Sequence, residues 1–135
     1  LAPGTYRIWI DFTKDSMQHI VDFDLVVSGG EEKAEPDRLY GLEVALKEDM
    51  EKFYFIVTKD SEPLPIKEKF LAANAHLIII SEDLEEFGHA HDKGFDGDNV
   101  LSFAYAFQKQ GRHKLWVQFS VNNLTRTKEF EVEHG

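Results

Sequence analysis

Gly4-Thr5-Tyr6-Arg7-Ile8-Trp9-Ile10-Asp11-Phe12 returns later in the chain as Gly111-Arg112-His113-Lys114-Leu115-Trp116-Val117-Gln118-Phe119. The second stretch starts 107 residues after the first, counting from Gly4 to Gly111. The match runs without a gap from Gly4–Val27 onto Gly111–His134. Gly4/Gly111, Trp9/Trp116, Phe12/Phe119 and Phe23/Phe130 are identical, while Arg7/Lys114, Ile8/Leu115, Ile10/Val117, Met17/Leu124 and Asp22/Glu129 keep their chemical character. Within each copy, apolar side chains alternate with polar ones or tryptophan. Tyr6, Ile8, Ile10 and Phe12 alternate with Arg7, Trp9 and Asp11, and His113, Leu115, Val117 and Phe119 with Lys114, Trp116 and Gln118. Period two is the signature of a strand with one buried face. Asp15-Ser16 and Asn122-Asn123 fall at the tips, where a tight hairpin needs residues that tolerate positive φ. Each copy therefore reads as a β-hairpin.

Outward from these hairpins, the remaining chain is also built of strands. Tyr40, Leu42, Val44 and Leu46 alternate, and Phe53 to Thr58 answers them across a turn at Glu48–Glu51. Lys59 to Pro65 is a loop, and Pro63 and Pro65 argue against a central strand there. Ile66 to Phe70 reads as a short edge strand. Ala75 to Ser81 carries a continuous apolar run, which predicts burial on both faces. Gly88 to His91 is short and extended, and Leu101, Phe103, Tyr105 and Phe107 alternate again. No stretch has the pattern of a long helix. The repeat offset and the strand spacing predict an all-β, immunoglobulin-like antiparallel β-sandwich of about seven strands. The expected organisation is a hairpin over residues 1–29 that resembles the end of a preceding module, a linker over 30–38 and the sandwich over 39–135. The polar Gly29–Asp37 stretch, with its Gly and Pro, supports the linker. Pro3-Gly4-Thr5-Tyr6 reads as a corner where the tyrosine hydroxyl bonds back to the backbone, with His113 in that place in the second copy. A lone hairpin is marginal in water, so its apolar face is expected to pack on the domain's own sheet, on a neighbouring repeat module, or in a strand-exchanged homodimer.

Composition removes several function classes. Acidic residues number 25 against 15 Lys and Arg, for a net charge of −10. That balance, without a basic cluster, disfavours nucleic acid and anionic membranes as partners. Cysteine is absent, which excludes disulfides, zinc–thiolate sites and a thiol nucleophile. No apolar run approaches the ~20 residues of a membrane span. A chain that opens at Leu1, without Met and inside a turn, reads as an excerpt of a longer protein. No Gly-x-Ser-x-Gly, phosphate-binding loop or dinucleotide fingerprint is present, so a non-enzymatic role is expected. Glu82, Asp83, Glu85 and Glu86 offer paired carboxylates but read as a solvated acidic turn. Asp92, Asp96, Asp98 and Asn99 lack the dense spacing and terminal Glu of a calcium loop and read as a turn.

Six histidines remain, and three stand out. His89 and His91 are two apart, so both rings point to one side of an extended segment. His76 opens the strand leading to them. Neutral imidazole suits copper and zinc alike, so a His-x-His pair with a third histidine is an acceptable metal set, with histidines of a solvated turn as the alternative. The segment Ala75-His76-Leu77-Ile78-Ile79-Ile80-Ser81-Glu82-Asp83-Leu84-Glu85-Glu86-Phe87-Gly88-His89-Ala90-His91 resembles the central stretch of bacterial extracytoplasmic YtkA-like and cupredoxin-like sandwich modules. The phenylalanine-rich Phe103–Phe107 strand and the Gly111–Phe119 hairpin resemble the parts that follow in that family. The resemblance spans about Leu64 to Val132. It implies a cupredoxin-like fold, a secreted, periplasmic or surface-anchored location, an association with copper or heavy-metal handling in some cases, and a ligand role for His76, His89 and His91. Two positions depart from the pattern: Asp92 stands where proline is common, and His113 replaces the corner tyrosine. Two rival readings are a spacer or interaction module with no small ligand, in which the histidines are dispersed or separately hydrogen-bonded to the core, and a carbohydrate-binding module using the Trp9 and Trp116 faces.

Overall fold

The computed structural model describes residues 2–29, 39–69, 71–94 and 97–135. The chain divides into two compact units, Leu1–Arg38 and Leu39–Gly135. The expected linker over 30–38 lies outside the described residues. Among those described, every regular element is a strand.

The first unit is a two-stranded sheet of β1 (Gly4–Lys14) and β2 (Met17–Val27), in register from Gly4↔Val27 to Lys14↔Met17. Asp15 and Ser16 join them with φ of 52° and 62°. Two successive positive φ values define the turn whose twist matches that of paired strands. Tyr6 completes the corner as expected: its hydroxyl donates to the Ala2 carbonyl at 2.6 Å.

The second unit is an antiparallel sandwich of β3 (Leu42–Asp49), β4 (Lys52–Lys59), β5 (Glu62–Pro63), β6 (Ala75–Ser81), β7 (Phe87–His91), β8 (Val100–Ala104), β9 (Gly111–Val121) and β10 (Leu124–His134). One sheet runs β10-β9-β6-β7; in the other, β4 pairs with β3, β5 and β8. The all-β sandwich is thus as the sequence predicts, with seven strands of five residues or more and the two-residue β5. The edge strand expected over Ile66–Phe70 does not form across the described part of that stretch. Its place is taken by one bridge between Glu68 and Ser120. There the Glu68 carboxylate accepts from Ser120 Oγ at 2.8 Å and from the backbone N–H groups of Asn122 and Asn123 at 2.9 and 3.0 Å. Side-chain bonding at the hairpin tip has displaced strand pairing.

Alternation supplies the core. Phe53, Phe55, Val57, Leu101 and Phe103 face inward from one sheet, and Ala75, Leu77, Ile79, Leu115, Val117 and Phe119 from the other, all with about 1% exposure or less. Phe55 meets Phe103 edge-to-face at 5.6 Å and Phe130 at 5.3 Å, distances at which aromatic pairs add to burial. Full burial of each such side chain contributes roughly 1.5–3 kcal/mol. On the outer face of β6, Ile78 and Ile80 are half-buried and His76 is buried, so the apolar run is covered fully on one side and partly on the other.

Candidate metal centre

Strand register builds the site. β6 pairs antiparallel with β7, setting His76 opposite His91 and Ile78 opposite His89. Leu77 and Ile79 on β6 face the core, and Ala90 on β7 packs against it. By the alternation of strand side chains, His76, His89 and His91 all lie on the outer face. His76 Nδ1 lies 3.1 Å from His89 Nε2. The His91 ring stands edge-on to both others, with centroids 4.7 Å from His76 and 4.9 Å from His89. One ring nitrogen from each residue falls within 4.8 Å of the other two. Metal–nitrogen bonds near 2.0–2.1 Å place the nitrogens of a tetrahedral ion about 3.4 Å apart. One pair is already that close, and rotamer adjustment of the more exposed rings would bring in the third. Burial grades across the triad: His76 is buried, His89 half-buried and His91 exposed.

The backbone after His91 is held by Asp92. Its N–H donates to the Ala75 carbonyl at 3.0 Å, a bond proline could not make. Its Oδ1 accepts from Ser102 N at 2.8 Å and Gly94 N at 3.2 Å. Asp92 therefore fixes by hydrogen bonding a geometry that proline would fix through its ring. No calcium-type cluster joins it among the described residues. Asp98 pairs with Lys67 at 3.5 Å, and Asn99 Nδ2 donates to the Val57 carbonyl; Asp96 lies outside the described residues.

A second polar cluster was not legible as such in the sequence. Glu86, expected in a solvated acidic turn, is buried at 5% exposure. Its carboxylate accepts from Tyr105 Oη at 2.6 Å, Gln108 N at 2.9 Å, Lys109 N at 3.0 Å and His113 Nε2 at 2.9 Å. Burial pushes this carboxyl up, but the bonds from Tyr105, Gln108, His113 and Lys109 outweigh it and leave the group below its ordinary value. Burial, then the bond to Glu86, pushes the Tyr105 phenol far above its ordinary value. The absence of a side chain at Gly88 makes room for the Tyr105 ring, which a Cβ there would strike. His113 Nδ1 faces the Gly111 carbonyl at 3.0 Å, so this histidine belongs to the Glu86 cluster and not to the triad. The rest of the turn matches the sequence reading: Asp83 bonds Lys109 Nζ at 2.9 Å and Ser81 Oγ at 2.6 Å.

Trp116 sits on the same outer face, opposite Ile78 and Glu129. A cavity of about 300 Å³ lies beyond it, lined among others by Ile80, Leu84, Lys114 and Trp116. Lys114 is engaged with Glu129 at 2.8 Å.

Fold and site together define the class: an antiparallel β-sandwich domain carrying three convergent imidazoles on the outer face of one sheet. Residues 40–135 match the model of a domain of unknown function (DUF8832), and the chain belongs to that family. No curated protein and no solved structure matches the chain.

Proposed function

We propose that this domain is a non-enzymatic module that binds a transition metal, copper or zinc, through His76, His89 and His91. The observation that carries the reading is the convergence of one nitrogen from each ring within 4.8 Å. A spacer without a ligand predicts histidines that are dispersed or separately hydrogen-bonded to the core, and the separation argues against dispersal. The likeness of the Ala75–His91 segment to extracytoplasmic YtkA-like and cupredoxin-like modules supports a location outside the cytoplasm. The match between the two hairpins supports a place in a modular array, with the first hairpin closing another sandwich.

Calorimetric titration of Cu(II) and Zn(II) into the metal-free chain and into a His89→Ala/His91→Ala variant tests the reading. Both substitutions fall on half-buried or exposed positions of a short edge strand, so the fold should persist, as circular dichroism will check. Saturable one-to-one binding is expected for the parent chain and its loss for the variant. Equal, weak binding by both would sink the proposal. Because imidazole must be neutral to ligate, affinity should fall as pH drops below about 6.5.

A further inference from the structure

The donor set at the triad says more than that a metal binds. Resting on the reading above, we infer that the site selects an oxidised, divalent ion, Cu(II) ahead of Zn(II), discriminates against Cu(I), and keeps a coordination position for an exchangeable anionic ligand. Three observations carry this.

The first is what surrounds the imidazoles. Thiolate and thioether sulfur select Cu(I). The chain has no cysteine and two methionines. Met17 begins β2 in the first unit, and Met50 lies in the β3–β4 turn at 96% exposure. Neither is on the strands that carry the triad. Hard ions such as calcium and magnesium require oxygen ligands. Asp92, the carboxylate next in sequence to the triad, spends Oδ1 on two backbone N–H groups. Among the described His, Cys, Asp and Glu residues the convergent donors are the three imidazoles, and such a nitrogen set suits the borderline divalent ions, among which affinity peaks at Cu(II).

The second observation is the burial gradient. His76 is at 3% exposure, beneath the half-buried His89 and the exposed His91. All three rings rise from one face of one sheet. An ion held by them has protein on one side, and its outward side lies toward solvent. Among the described residues three donors converge; three protein ligands are the arrangement of a site that exchanges its remaining ligand, whereas a purely structural zinc site is closed with four.

The third is charge. Three neutral imidazoles offset none of an ion's two positive charges. The remaining ligand is therefore favoured as an anion: hydroxide, or a small carboxylate or pseudohalide presented from solution.

Chelator competition on the full chain tests selectivity, using chromophoric competitors for Cu(II), for Zn(II) and, under anaerobic reductant, for Cu(I). Electron paramagnetic resonance of the Cu(II)-loaded protein, with and without azide, tests the open position. Cu(II) should bind at least about tenfold more tightly than Zn(II) and than Cu(I). The spectrum should report nitrogen ligation, and azide should shift it and add a charge-transfer band. Cu(I) held as tightly as Cu(II), or a spectrum indifferent to azide, would overturn this inference while leaving the metal-binding reading intact. Equal, weak binding of every ion by the parent chain and the His89→Ala/His91→Ala variant would remove that reading itself.

Discussion

The two hairpins of this chain agree in almost everything that neighbouring residues can determine. β1 and β9 are each 11 residues long, as are β2 and β10. The pairing Gly4↔Val27 recurs as Gly111↔His134, and Asn122 and Asn123 repeat the turn of Asp15 and Ser16 with φ of 55° and 62°. They differ in what covers them. Val117 and Phe119 are fully buried, whereas their counterparts Ile10 and Phe12 are 45% and 41% exposed. β9 also pairs with β6 along Phe119–His113, while β1 and β2 form a sheet of two. Shape is thus a local property of these hairpins, written in alternation and turn chemistry. Burial is conferred by what packs against them: in the sandwich a second sheet covers the hairpin's apolar face, a layer that the two-stranded unit does not have within itself.

The largest expected effect sharpens that contrast. Phe119→Ala should cost the sandwich roughly 3–5 kcal/mol, the range for emptying a buried phenylalanine site. Phe12→Ala should cost about 0.5 kcal/mol or less, as at an exposed position. Urea unfolding can follow each unit separately, because Trp9 and Trp116 fall one in each hairpin; a Trp9→Phe background isolates the sandwich signal, and Trp116→Phe the hairpin. Equal losses would break the comparison. A smaller effect separates the two corners. Tyr6 bonds a backbone carbonyl, whereas His113 bonds the buried Glu86 carboxylate. The Glu86 carboxyl is held below its ordinary 4.5, so its contribution is complete above that value and is lost as pH falls through the lowered one. Glu86→Gln should cost about 1–3 kcal/mol at neutral pH, since an amide cannot accept from all four donors. It should also flatten the acid limb of the sandwich's stability profile. An unchanged acid limb would show that other carboxylates govern it. The smallest effect concerns ion pairs on the two outer faces, Arg7 with Asp22 and Asp24 and Lys114 with Glu129. Exposed pairs of this kind contribute little, and Arg7→Ala and Lys114→Ala should leave both midpoints where they were in 0.15 M salt.

How much of this could be read beforehand follows from the same distinction. The strands and tight tips were legible because alternation and Asp-Ser or Asn-Asn pairs act over a few residues. The His89 and His91 pair was legible because period two puts both rings on one face. That His76 joins them depends on the β6–β7 register, which the turn over 82–86 sets; family resemblance suggested it, and spacing alone could not. Glu86 misled because it follows Glu82, Asp83 and Glu85, all exposed. Its burial comes from partners 19 to 27 residues further on, and the nearest hint was Gly88, whose missing side chain admits the tyrosine ring. The edge strand expected over Ile66–Phe70, which does not form in the described part of that stretch, has a similar origin. Glu68 is drawn to the tip of a hairpin more than 50 residues away in sequence, and nothing local announces that.

One difference between the hairpins bears on solubility. β10 ends its sheet, and on its inward-facing side it carries Arg126 and Lys128, opposite Phe119 and Val117. Charged residues pointing inward from a terminal strand are a known safeguard against edge-to-edge association; of these two, Arg126 is already buried and Lys128 is half-buried. At the matching places β2 has His19 and Val21, opposite Phe12 and Ile10. The sandwich is therefore guarded along that margin while the first hairpin is not. Replacing Val21 with lysine would give β2 the inward cation that Lys128 gives β10.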